Sequence, residues 1–159
     1  MSLTRRDILR ASVASAVAAG ATILPTSLLA ANKTVKIGMN IPMTGDYAPW
    51  GLPGLYGCQI IANDINAAGG VSIGGEKYNI EMVAYDHAYD TEKAVQGYKK
   101  LVLQDKVKMV MMLGGSTVAS ILPWAQRRKM LTTTLLPSDI TPDSEYLIAT
   151  CESHPLYNV

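Results

Sequence analysis

An α/β domain built on a doubly wound parallel sheet is what this sequence predicts, and three observations predict it. Beyond residue 31, short β-rich runs alternate with stretches of helical periodicity. Val107 to Leu113 is a nearly continuous apolar run, the pattern of a strand buried on both faces of a parallel sheet. The connections are short and punctuated by glycine, as strand–helix–strand units with right-handed crossovers require.

Residues 1–31 stand outside that alternation. Thr4-Arg5-Arg6-Asp7-Ile8-Leu9-Arg10 is a basic cluster, Ala11 to Leu29 carry no charge, and Leu29-Ala30-Ala31 offers small residues to a peptidase. A basic, then apolar, then small-residue order is that of a secretory signal peptide. The adjacent arginines resemble the twin-arginine export signal. Gly20, Pro25, Thr22, Thr26 and Ser27 make the stretch too weakly apolar for a membrane-spanning helix to be the better reading. The expectation is export, cleavage near Ala30 or Ala31, and a working domain over residues 32–159 outside the cytoplasm.

In that domain Thr34 to Met39 reads as a strand leading to Asn40, followed by a Pro- and Gly-rich loop from Ile41 to Pro53. Leu55, Cys58, Ile61, Ala62 and Ile65 then share one helical face as far as about Ala68, where Gly69-Gly70 stops the helix. Tyr78 to Ala84 is the second strand. Asp90 caps a helix running to Gln104, with Glu92 in its first turn and Ala94, Tyr98, Leu101 and Val102 facing inward. The apolar run from Val107 is the third strand. After Gly114-Gly115-Ser116-Thr117 comes a helix to about Lys129, a strand from Met130 to Leu136, and a short strand over Leu147 to Cys151. The sequence stops soon after that strand, without a helix stop or terminal signature.

Composition narrows the function. Removing Arg5, Arg6, Arg10 and Asp7 with the leader moves the formal charge from +1 to −1. Bulk charge therefore offers nothing to nucleic acid or an anionic membrane. The hydrophobic share of 48% suffices for a real core. With only Cys58 and Cys151 present, the chain is not a disulfide-stapled miniprotein, and two buried free thiols are favoured over a bridge.

In an open parallel sheet the ligand crevice lies beyond the carboxyl ends of the strands. Pro42 to Trp50, Gly114 to Thr117 and Pro137 to Thr141 converge there. Glycines at 114 and 115 let a ligand approach the backbone, Ser116 and Thr117 bring hydroxyls, and the following helix start presents free N–H groups with partial positive charge. A small carboxylate or phosphate suits such a place, but a simple helix cap explains the residues equally well, and spacing does not choose. Gly51, Gly54 and Gly57 do not match the dinucleotide fingerprint, and no P-loop ending follows Gly115. No cofactor is expected. Asp86, His87 and Asp90 match no zinc spacing and read as a polar turn with a capping aspartate. There is no G-x-S-x-G or H-E-x-x-H, so no enzyme is expected. Trp50, within the Gly/Pro-rich segment, either closes over a ligand or plugs the loop.

The ordered text Lys36-Ile37-Gly38, Pro42-Met43-Thr44-Gly45, Trp50-Gly51, Asn66-Ala67-Ala68-Gly69-Gly70-Val71, Tyr85-Asp86 to Asp90 and Gln104-Asp105-Lys106-Val107, then the Gly-Ser-Thr turn, resembles the amino-terminal lobe of a periplasmic solute-binding protein of the branched-chain amino acid class. The resemblance covers essentially all of the chain after the leader. It implies a non-enzymatic receptor that captures a small solute (an amino acid, amide or small carboxylate) and delivers it to the membrane subunits of an ABC importer. The same two-lobed fold also serves as a ligand-sensing domain, which is the alternative. By resemblance, a ligand carboxylate falls on Gly115, Ser116 and Thr117, further polar contacts on Leu136 and Ser138, and a cleft aromatic on Trp50. Leu135-Leu136-Pro137-Ser138-Asp139 starts less polar than the family pattern. The resemblance further implies a second lobe beyond Val159, so that this chain carries one wall of a cleft and binds its solute weakly on its own.

Overall fold

The computed structural model describes residues 32–150. The expected leader, the proposed cleavage point and Cys151 therefore lie outside the described residues. Among the described residues six strands form one sheet in the order β2-β3-β1-β4-β5-β6, with β1 (Lys33–Ile41), β2 (Val71–Ile73), β3 (Glu76–Asp86), β4 (Met109–Met112), β5 (Thr132–Thr134) and β6 (Leu147–Ala149). All neighbours are parallel except β2, which pairs antiparallel with β3. The α/β parallel-sheet expectation holds. β2 is an addition: the Gly74-Gly75 pair joins it to β3 as a hairpin, a glycine dipeptide signal that the strand pattern alone did not expose.

Among the described residues three α-helices connect the strands: α1 (Ala48–Ala67), α2 (Thr91–Leu103) and α3 (Ser116–Arg128). α2 and α3 pack together on one face over Val110, Met112 and Leu147, where Tyr98, Leu101 and Ile121 are fully buried. Each such apolar side chain contributes about 1.5–3 kcal/mol of burial. The Tyr98 hydroxyl hydrogen-bonds Thr132, its ring meets Trp124 edge-on at 5.5 Å, and burial pushes its pKa up to about 12. α1 lies on the opposite face over β1 and β3, with Leu55 packed on Met39 and Ile41.

Four expectations change. α1 begins at Ala48, so the predicted loop through Pro53 is mostly helix. Pro49 falls in the first turn, where its missing N–H costs nothing, and Pro53 forfeits one bond on the exposed side of the helix. The predicted strand from Met130 to Leu136 shrinks to Thr132–Thr134, because Pro137 opens a 3₁₀ turn at Pro137–Asp139. β4 is buried on one face only: Val110 and Met112 are buried, whereas Met109 and Met111 are half-buried. Among the described residues no helix covers the α1 face beyond β1, which leaves Ile148 half exposed and Ile61 60% exposed despite its place on the predicted inward stripe.

Local chemistry explains the motifs. The Asn66 side chain donates to the carbonyl of Ile80 and accepts its N–H, at 2.8 and 2.7 Å, so the end of α1 stitches itself to β3. Gly51 lies so close to β1's exit that a Cβ there would come within 2.0 Å of the Pro42 carbonyl oxygen. Asp90 caps α2 as the sequence predicts, accepting the Lys93 N–H at 2.8 Å.

Candidate ligand site at the carboxyl edge of the sheet

The strand register sets this edge. Ile41 lies opposite Asp86, Asn40 opposite Met112, and Met111 opposite Thr133, so β1, β3, β4 and β5 end at one level. Four connections leave there: 42–47, 87–90, 113–115 and 135–140.

Asp86 ties the first two together. Its carboxylate accepts the Met43 and Ala88 N–H groups at 2.8 Å and the Thr44 hydroxyl at 2.6 Å. Burial raises its pKa, but the bonds from Thr44, Met43 and Ala88 outweigh that and hold it below the ordinary carboxylate value. Next to it His87 is fully buried, and its Nδ1 accepts the Tyr89 N–H at 2.9 Å. Burial holds the imidazole pKa below its ordinary value, and the neighbouring charges of Asp86 and Asp90 offset this only in part. The tight turn puts Ala88 and Tyr89 both in the left-handed region, at φ 46° and 61°. Tyr89 then stacks on Tyr47, with ring centroids 4.1 Å apart.

Gly115 heads α3 at φ 67°, ψ −141°, a conformation that glycine adopts without strain. A Cβ there would meet the Tyr89 hydroxyl at 2.5 Å, so the two touch closely across the edge. The Gly115 N–H is engaged: both oxygens of Asp139 accept it, at 3.0 and 3.2 Å. Asp139 also accepts the Thr134 hydroxyl at 2.6 Å, and Thr134 in turn accepts the Leu136 N–H at 3.0 Å. The Leu136 side chain lies against Gly114.

The sequence-predicted residues thus divide. Gly115 and Leu136 come together at the start of α3. Thr117 is fully buried and donates its hydroxyl to the Gly114 carbonyl at 2.8 Å, so it turns inward and offers only its backbone N–H. Ser116 is exposed, with no side-chain hydrogen bond among the described residues. Ser138 is exposed in the 3₁₀ turn. Trp50, 70% exposed, stands on the first turn of α1 rather than in a loop, where it lines a different, apolar cavity of about 140 Å³ with Ile41, Leu113, Leu135 and Thr150. Sequence reasoning missed Tyr47, Tyr89 and Asp139. Asp139 adjoins the flagged Ser138, but its bond to Gly115 spans 24 residues and no local pattern shows it. Asp86, His87 and Asp90 each make the bonds of a polar turn.

Comparison with known proteins places this architecture. A family described as periplasmic binding protein matches residues 34–153. An amino acid binding protein of Pseudomonas aeruginosa is 39% identical over 104 residues, covering 65% of this chain and 25% of its own length. A branched-chain amino acid transporter substrate binding protein of Streptococcus pneumoniae, solved with isoleucine, is 29% identical with a TM-score of 0.65, covering 76% of this chain and 34% of that one. A fatty acid ABC transporter substrate-binding protein of Thermomonospora curvata is 31% identical at the same TM-score, over 76% of this chain and 30% of its own. The chain therefore spans a quarter to a third of the length of these relatives.

Proposed function

The chain belongs to the periplasmic binding protein family, and from that premise we propose that it is the amino-terminal lobe of an exported receptor that captures a small solute and hands it to the membrane subunits of an ABC importer. One observation carries the assignment of the site. The N–H groups of Ser116 and Thr117 open α3 without an acceptor among the described residues, at the positive end of the helix and beside an exposed serine hydroxyl. A polar head group of a solute fits there. Gly115 shapes the turn, and the Leu136 carbonyl and the Ser138 hydroxyl offer contacts from the β5 exit, while Trp50 lines a separate apolar cavity that a solute side chain would have to reach. The relatives named above bind amino acids or fatty acids, which supports an amphipathic solute of that size.

Residues 1–31 act as the export signal, cut near Ala30 or Ala31, and residues 32–159 form the lobe. Sequencing the amino terminus of the secreted protein tests this: a start at Ala31 or Asn32 supports it, and a retained Met1 refutes it. The receptor assignment is tested by calorimetric titration of the protein at its natural length with a panel of amino acids, amides, short carboxylates and fatty acids. Saturable 1:1 binding supports it, and silence from the whole panel refutes it.

A further inference from the structure

We propose that the amino edge of the sheet, where α2 and α3 end, is a peripheral docking face for an anionic phospholipid surface. The inference goes beyond the receptor reading and does not depend on which solute the opposite edge takes.

The near-zero formal charge of the domain conceals a segregation of sign. At the carboxyl edge, the connections and first helical turns carry Asp46, Asp86, Asp90, Glu92 and Asp139 against Lys93 alone. At the other end of α2 and α3 the sign inverts. Each of these helices returns to the amino edge between parallel strands, and the two pack side by side, so their last turns lie together. Lys99 and Lys100 stand near the end of α2, and Lys106 and Lys108 in the link to β4. Arg127 and Arg128 close α3, and Lys129 is its C-cap. All seven are exposed. Three acidic residues share this end, and one of them, Asp105, is taken by Lys100 at 2.6 Å; Asp143 and Glu145 precede β6. The other six cations make no ion pair among the described residues. Farther along the edge, Lys33 and Lys36 are neutralised by Glu76 and Glu81.

Helix stability alone favours cations in a last turn, which accounts for Lys100, Arg127 and Arg128. It does not account for Lys106 and Lys108, which stand outside the helix, nor for lysine at 106 and 129. Both of those residues adopt the left-handed conformation, at φ 58° and 52°, where glycine is the unstrained choice. Two neighbouring turns thus keep a cation despite the backbone strain. Leu103, 49% exposed, ends α2, and Leu131, 37% exposed, follows Lys129 by two residues, so apolar side chains accompany the charges. Basic residues with isolated exposed apolar ones form the pattern of a surface that rests on anionic head groups and inserts shallowly. A protein partner fits less well, because protein interfaces are depleted in lysine, which supplies four of the six unpaired cations. The acidic carboxyl edge is repelled by the same lipid surface, so docking leaves that edge facing away from it.

Vesicle sedimentation with the secreted protein at its natural length tests this, using phosphatidylcholine alone and phosphatidylcholine with about one third phosphatidylglycerol. The wild type is expected to bind the phosphatidylglycerol vesicles at least about tenfold tighter, and raising the salt from about 0.1 to about 1 M is expected to release it. Lys99→Gln, Lys108→Gln and Arg127→Gln combined are expected to weaken binding at least about tenfold, and Leu103→Ser severalfold, whereas Lys93→Gln at the opposite edge leaves it unchanged. Hydrogen exchange of the wild type with and without vesicles needs no variant, and slowing is expected over 99–108 and 127–131. Equal binding to both vesicles, protection that spares those two stretches, or a folded triple variant that binds like the wild type overturns the assignment. Binding to polyglutamate with none to the vesicles makes the face a dock for an acidic protein and equally overturns it. Solute titration decides the receptor reading separately, so the two readings fail by different results.

Discussion

Thr44 donates its hydroxyl to the Asp86 carboxylate at 2.6 Å, across the 42 residues that separate the exit of β1 from the exit of β3. With the Met43 N–H on the other oxygen, this pair fixes the connection that carries Tyr47 and the start of α1. The Pro-x-Thr-Gly text is thus structural chemistry at the rim of the site.

Asp86→Ala is accordingly expected to lower stability by about 1–3 kcal/mol, since three donors lose a charged acceptor, while Thr44→Val costs about 1 kcal/mol. Denaturant midpoints check both. Because the folded pKa of Asp86 lies below its ordinary value of 3.8, its contribution is complete above about pH 4. It is lost as the pH falls through that lower folded value.

His87 titrates in a higher window. Its folded pKa is depressed by burial below the ordinary 6.5, so protons bind the unfolded chain first. Stability is expected to decline as the pH drops below about 6.5. Replacing His87 by Gln is expected to flatten the change between pH 7.5 and 5.5. Equal slopes for wild type and variant would contradict the buried neutral imidazole.

Gly97 lies in the middle of α2, where alanine normally favours the helix by about 1 kcal/mol. A Cβ at this position would meet the Tyr85 ring at 2.1 Å and the buried Asn40 side chain at 2.7 Å. Gly97→Ala is expected to destabilise by about 1–3 kcal/mol, measured by thermal unfolding, despite its better propensity.

Ser116 separates a cap from a contact. Gly115, not Ser116, occupies the N-cap, and its position supplies no side-chain cap to α3. Ser116→Ala is therefore expected to leave stability within about 0.5 kcal/mol and to weaken solute binding severalfold. A stability loss of about 1 kcal/mol with affinity unchanged would make Ser116 structural only.

Much of this fold was legible because its signals are local. The stripe of Ala94, Tyr98 and Leu101, the Asp90 cap and the β4 run each declare themselves within a few residues. The start of α1 was missed because Pro49 and Pro53 read as loop residues, whereas a proline near a helix start is tolerated by context. At the proposed site, the glycine pair and the helix start made Gly115, Ser116 and Thr117 candidates, but no local signal shows that the Thr117 side chain turns inward. Asp139 on Gly115 and Tyr89 on Tyr47 are tertiary contacts across 24 and 42 residues, set by the strand register, and no periodicity encodes them.

The central claim is capture of a small solute at the start of α3, and calorimetric titration of the natural-length protein beside its Ser116→Ala variant tests it most directly. The account predicts 1:1 binding of one solute class at micromolar or tighter Kd, weakened in the variant with its fold intact, and little or no binding by residues 32–159 alone. Wild-type protein that binds nothing across amino acids, amides, carboxylates and fatty acids would contradict it, as would a variant that binds its solute undiminished.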